Sequence, residues 1–156
     1  MATPPADVSL WTYVPPAIVS AFIGASIGYL TSRAAAKRTE WHARVDDVVK
    51  ALDTLRGDVL TYWCKSLPQD ELAFYATSIG IKFHDINNQF VELKLLKSPF
   101  NSSYITSLLD NVFDASTGGD FESPNRQIAN DRAVTACLAI DELKLEAHRC
   151  RRRAGF

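Results

Sequence analysis

A chain of 156 residues with 17 Lys and Arg against 18 Asp and Glu carries a formal net charge of −1, which gives it no general electrostatic affinity for nucleic acid. Cys64, Cys137 and Cys150 are odd in number and lack CxxC spacing, which disfavours both a disulfide framework and a zinc site and favours free thiols. The charge is unevenly placed, because every Lys and Arg lies at or after Arg33 and Asp7 is the one acid before it.

The first element in chain order is the apolar stretch 8–32, 25 residues without Asp, Glu, Lys, Arg or His. As a helix it would reach about 37 Å, enough to cross a hydrocarbon layer of about 30 Å with some tilt. A cleaved signal peptide is the competing reading. The segment before this stretch has no basic residue, and Arg33 interrupts the approach to Ala34-Ala35-Ala36, so a retained anchor is expected. Arg33, Lys37, Arg38 and Arg44 follow the span, and basic flanks stay cytoplasmic. The expected layout is an extracytoplasmic tail (1–9), a transmembrane helix (10–32) and a cytoplasmic domain (33–156). Trp11 and Tyr13 suit the outer interface and Tyr29 the inner one. Pro15 and Pro16 suit the start of the helix, where a missing N–H does least harm.

Ser20, Gly24, Gly28 and Ser32 recur at intervals of four. Such a face lets two backbones approach closely in lipid, and it marks Ser20, Gly24 and Gly28 as candidates for helix association and a homo-oligomer. The competing reading is the ordinary abundance of small residues in spans.

Beyond the span the pattern is helical throughout, and the fold class expected is all-α, a bundle of about four helices including a long antiparallel hairpin. Trp41, Val45, Val48, Leu52, Leu55, Val59 and Tyr62 alternate spacings of four and three, a seam held for three heptads. Ser66-Leu67-Pro68 breaks the chain, and Asp70-Glu71 suits a new helix N-terminus. Leu72, Ala76, Ile79, Phe83, Ile86, Phe90 and Leu93 repeat the seam up to Ser98-Pro99. A shorter helix is predicted over 103–114, with Ile105, Leu108, Leu109 and Val112 on one face. The segment 115–125 reads as a loop, with Phe121 plugging it onto the bundle. The last helix is predicted over 125–152, with Ala129, Ala133, Ala136, Ile140, Leu143 and Ala147 inward. An intermolecular coiled coil competes for the first seam, but its aromatic residues suit an irregular core better.

Chemistry is less legible. His42 and Asp46 stand i,i+4, the spacing of two metal ligands on one helix, yet both fall outside the seam. His42, His84 and His148 are all expected to be solvated. The Thr117-Gly118-Gly119-Asp120 loop follows no strand and precedes no GK[ST], which excludes a Walker-type phosphate loop. Asn101-Ser102-Ser103 matches a glycosylation sequon that a cytoplasmic location makes irrelevant. The basic cluster Arg149, Arg151, Arg152 and Arg153 admits three readings: a solvated helix end favoured by the dipole, contact with anionic lipid headgroups, or nucleic-acid contact. No catalytic, cofactor-binding or metal-binding residue is assigned.

The layout, with the Tyr62-Trp63 pair ending a long helix and the Thr117-Gly118-Gly119-Asp120-Phe121 loop, resembles small bacterial single-span membrane proteins with a helical cytoplasmic domain. That resemblance implies a bacterial inner membrane and a mobile-element or phage-related setting, and it transfers no activity. The expected function is that of a non-enzymatic, membrane-anchored interaction or regulatory protein, oligomeric through its span, with a cytoplasmic protein partner and a role in phage defence or lysis. The alternative is a membrane-tethered enzyme or ligand sensor with a pocket in the bundle, using groups such as His84 or Asp120.

Overall fold

The structure, a computed structural model, describes residues 16–95, 102–123 and 126–153. Four helices account for nearly all of them: α1 (Pro16–Cys64), α2 (Gln69–Leu95), α3 (Ser102–Thr117) and α4 (Asn130–Arg153). By internal contacts the chain divides into two units, Met1–Thr39 and Glu40–Phe156. Trp11, Tyr13, Pro15 and Asn101 lie outside the described residues.

The first unit, where described, is the N-terminal part of α1. Its apolar stretch, which begins at Ile18, has a mean hydropathy of 1.2 and is wholly unburied, so the helix is long and apolar enough to cross a membrane. With 3.6 residues per turn, Ile18, Val19, Phe22, Ile23, Ile27, Tyr29 and Leu30 occupy one half of its circumference. Ser20, Ala21, Gly24, Ala25 and Gly28 occupy the other. Ser26 Oγ donates to the Phe22 carbonyl at 2.8 Å and Thr31 Oγ1 to the Ile27 carbonyl at 2.9 Å. Each hydroxyl is thereby satisfied within its own helix. A Cβ added at Gly24 or Gly28 would meet nothing within 4 Å. Among the described residues no neighbour explains these glycines, although each lowers helix propensity by about 1 kcal/mol relative to Ala.

The second unit is an up-and-down bundle. Ion pairs set the register of α4 on α1: Arg151 meets Asp46 (2.6 Å), Lys144 meets Asp53 (2.5 Å) and Arg56 meets Asp141 (3.5 Å). The partner number falls along α4 as it rises along α1, so the two helices are antiparallel. On the other flank Arg44 pairs with Glu92, and Asp58 accepts from Ser78 (2.6 Å) and Lys82 (2.7 Å) of α2. Phe83 of α2 packs on Phe113 of α3, 5.0 Å between ring centres, and α3 packs along α4. The four helices thus close a ring around one core. All seven residues of the first predicted seam are buried, as are Ile105, Leu108, Leu109 and Val112, and every position of the last predicted seam except the half-buried Ala129, which precedes α4. Leu72 and Phe83 of the second seam are also half-buried.

Local signals set the ends. The Pro68 carbonyl accepts from Leu72 N at 2.9 Å to begin α2, whose first turn holds Asp70 and Glu71. In α4 Asp131 lies in the first turn and Arg151, Arg152 and Arg153 in the last, each on the favourable side of the dipole. Two boundaries differ from expectation. Helix α3 continues to Thr117, because Thr117 Oγ1 bonds the Phe113 carbonyl and Gly118 N closes onto the Asp114 carbonyl. Helix α4 starts at Asn130 rather than near Asn125, because the preceding amides are engaged elsewhere: Arg126 N by Ser123, Gln127 N by Asp120 and Ala129 N by Trp63.

Candidate functional site at the end of the bundle

Helix α1 ends at Cys64 without a glycine to turn its last carbonyls inward, so those acceptors must find donors from elsewhere. Ala129 N donates to the Trp63 carbonyl at 3.0 Å, and Arg126 Nη2 donates to the Lys65 carbonyl at 2.9 Å. The segment between α3 and α4 thus serves as the C-cap of α1.

The same segment builds an aromatic and cationic stack. Trp63, fully buried, donates its indole N–H to the Ser116 carbonyl at 2.9 Å. Phe121 lies 5.0 Å from the Tyr62 ring and 6.4 Å from that of Trp63, so the loop is plugged onto the bundle as its sequence predicts. The Arg126 guanidinium lies 4.6 Å from the centre of the Tyr62 ring, and that of Arg132 lies 5.1 Å from Trp63; the attraction of a cation to a ring face favours both. The glycine pair now has a reason. A Cβ on Gly118 would come within 2.6 Å of the Asp114 carbonyl and 2.7 Å of the Arg132 guanidinium, and Gly119 adopts φ +71° against that same guanidinium. Here the two short segments that carried the resemblance, Tyr62-Trp63 and 117–121, meet in space.

Beside the stack opens a groove of about 340 Å³, lined by Tyr62, Leu72, Ala73 and Ala76 and rimmed by Gln69, Thr77, Glu122 and Ser123. Glu122 adopts φ +66°, a left-handed conformation that strains a non-glycine residue by about 1–3 kcal/mol. Its amide donates to the Tyr62 hydroxyl at 3.0 Å, which holds it there. The groove therefore presents an apolar floor, a phenol and one carboxylate, a set suited to a small amphipathic group or a partner's side chain.

A second cluster lies where α4 ends against the start of the bundle segment of α1. Arg151 Nε donates to His42 Nδ1 at 2.9 Å and its Nη1 to Asp46. His42 is therefore a half-buried hydrogen-bond acceptor and not the solvated side chain expected, because the antiparallel register sets residues 42 and 46 opposite residue 151. Glu146, 5 % exposed, sits between Arg149 (3.3 Å) and Arg153 (3.6 Å) and accepts from the Cys150 thiol at 3.6 Å. Burial, followed by the Glu146 charge, pushes that thiol up to about 11, so it is neutral and unreactive at ordinary pH. Of the four arginines expected to touch lipid, Arg149, Arg151 and Arg153 have acidic partners, and Arg152 is exposed without one among the described residues.

His84 is exposed on α2, and His148 is half-buried rather than solvated because its neighbours Glu146, Ala147 and Cys150 all face the interior. Asp120 is occupied by Gln127 N at 3.1 Å. Neither His84 nor Asp120 lines the groove. Among the described residues no three His, Cys, Asp or Glu side chains converge as a metal site. Sequence reasoning missed Glu122, Arg126 and Arg132, whose roles depend on contacts some 60 positions away, and Glu146, for which a signal existed. Glu146 stands three residues after the seam Leu143 and four before Cys150, a charged residue at core spacing. Compared with known proteins, the chain matches no family model, and no curated protein or solved structure is similar to it.

Proposed function

We propose that this chain is a membrane-anchored interaction protein, held by residues 10–32 with its bundle in the cytoplasm of a bacterial cell and associating with further copies through Ser20, Gly24 and Gly28. One observation carries the reading: the helix over 18–31 exposes large apolar side chains on one half and small ones on the other, with its Ser26 and Thr31 hydroxyls turned back onto its own carbonyls. In water such a surface has no favourable neighbour. In lipid the bulky half meets acyl chains and the small half admits a second backbone. The basic residues after Ser32 support the cytoplasmic placement, and the exposed Arg152 suits an anionic headgroup. In this reading the bundle presents its surface to a protein partner and the function is regulatory, in phage defence or lysis.

The test is extraction and labelling of membranes from cells making the full chain. The chain stays in the pellet under alkaline carbonate. A cysteine placed at Ala6 reacts with an impermeant maleimide in intact cells, whereas one placed at Asp110 does not. Release by carbonate sinks the anchor, and the opposite labelling sinks the orientation.

The groove at Tyr62 and Glu122 favours a second reading, a membrane-tethered ligand sensor or enzyme. Chemical-shift changes confined to Tyr62, Thr77 and Glu122 on titration with a small amphipathic amine would support it over the first.

A further inference from the structure

Histidine is the side chain whose charge changes between about pH 5 and 8, and His42 is bonded to a cation. Arg151 Nε donates to His42 Nδ1 at 2.9 Å, and Arg151 Nη1 donates to Asp46 Oδ1 at 2.6 Å. A guanidinium has no acceptor atom, so the bond runs in one sense. Nδ1 offers its lone pair, and the imidazole is neutral with its proton on Nε2. Both His42 and Arg151 are half-buried. They meet where the second unit, which begins at Glu40, receives the last turn of α4. The charged groups around them are engaged elsewhere. Arg44 of α1 turns to Glu40 and to Glu92 of α2. Arg149 and Arg153 of α4 turn to Glu146, and Tyr104 of α3 donates its hydroxyl to Glu142 at 3.3 Å. By helical spacing Arg38 stands one turn before His42, and His148 about one turn before Arg151. Asp46 is the carboxylate that holds Arg151.

We propose that His42 and Arg151 form an acid-sensitive latch, which fastens the last turn of α4 to α1 and opens when His42 takes up a proton. A proton on Nδ1 removes the lone pair that Arg151 uses. It sets one N–H against another and places a second cation against the guanidinium. His42 and Asp46 are spaced i,i+4 on one helix, so the imidazolium also competes with Arg151 for the Asp46 carboxylate. Of the two attachments of Arg151, one is lost and the other is shared. The latch is therefore closed on the alkaline side, where the imidazole is neutral, and opens as the pH falls. Among the described residues, Arg151 is the one side chain of the turn 151–153 bonded to another helix, since Arg153 pairs within α4 and Arg152 is exposed. Ala147 and Cys150, both wholly buried, hold the turn before it. Opening is thus local, and it leaves the bundle folded with a more cationic end. Protonated histidines are a general means of releasing packed contacts. The latch lies within residues 40–153 and depends neither on the anchor nor on association between copies.

The mobility of a nitroxide at residue 152 tests it, in the full chain in mild detergent with Cys64→Ser and Arg152→Cys. Cys137 and Cys150 are buried, so the label goes to residue 152. The label should be immobilised at about pH 8 and should lose that component by about pH 5. His42→Asn keeps an acceptor oxygen at the δ1 position but takes up no proton in this range, so its label should stay immobilised throughout. Arg151→Gln removes the guanidinium, and its label should be mobile throughout. His148→Gln should leave the transition in place. In the unsubstituted chain the Arg151 Nε–H magnetic-resonance signal should shift over the same pH range, while far-UV circular dichroism keeps its helical signal. An unchanged label overturns the opening, and an unchanged Nε–H signal overturns the role of the bond. Equal loosening in His42→Asn, or loss of the transition in His148→Gln, overturns the assignment to His42. An immobilised label in Arg151→Gln shows that Arg151 does not fasten the turn, and loss of helical signal across the bundle overturns a local opening.

Discussion

Replacing Trp63 separates two contributions that the stack at the end of the bundle combines. The side chain is fully buried against Tyr62, Phe121 and Arg132, and its indole N–H holds the carbonyl of Ser116, a residue 1 % exposed that water does not reach. Trp63→Phe keeps most of the ring area but leaves that carbonyl without its donor, which costs about 1–3 kcal/mol. Trp63→Ala removes the ring as well and opens a cavity, about 3–5 kcal/mol in all. Against a total stability of about 5–15 kcal/mol, the first variant is weakened and the second is near the limit of folding. Phe121→Ala is the reference: its ring is only partly buried, so the loss is about 1–2 kcal/mol. Urea titration of the full chain in a mild detergent, followed by far-UV circular dichroism, gives all three values if the transition slope is unchanged. Trp63→Phe within about 0.5 kcal/mol of the parent would refute the role given to the indole N–H. A loss for Trp63→Ala no larger than for Phe121→Ala would refute the anchoring role of the ring.

Four further outcomes are expected. Leu52→Asp or Ile86→Asp unfolds the bundle, because each sets a carboxylate at a site of 0 % exposure without a partner; circular dichroism and thermal melting report it, and an unchanged melt in both would remove these stripes from the core. At pH 8 a maleimide labels Cys64, which is exposed, while Cys150, with its thiol held near 11 and hence about one part in a thousand ionised, reacts only after unfolding. Because the folded thiol titrates above its ordinary value, its contribution to stability is complete below about pH 8.5 and is lost as pH rises through about 11, so the melting temperature falls across that window in the parent and less in Cys150→Ala. Gly24→Ile with Gly28→Ile abolishes signal in a membrane-association reporter, whereas Phe22→Ile, on the bulky half, leaves it intact; equal signals would reduce the span to a simple anchor.

Much of the bundle was legible because its code is local. Alternating spacings of four and three reported α1, α2 and α4 directly, and Val45, Val48, Leu52, Ile79, Ile86, Ile140 and Leu143 are all wholly buried. The aromatic pair and the glycine loop could be recognised one by one as unusual, but not as partners. Arg126 and Arg132 read as ordinary charges in sequence, and only the packed structure shows one closing α1 and the other filling the space two glycines leave. His42 was misread for the same reason, since its acceptor role depends on a register between α1 and α4 that periodicity does not specify.

The capping of α1 from 60 positions downstream also has a consequence for synthesis. As the chain leaves the ribosome, the first two helices can pair early, since their contacts are close in sequence. The Tyr62–Trp63 surface and the carbonyls of residues 63 and 65 remain open until residues 121–132 have been made. Closing a loop of 60 residues opposes that docking by about 4 kcal/mol of chain entropy, so the early hairpin is held open at one end for as long as translation of the second half takes. A chain stopped before Arg126 lacks the guanidinium that stacks on Tyr62 and caps Lys65, and the amide that caps Trp63. The segment between α3 and α4 thereby acts as a late clasp on the end of α1.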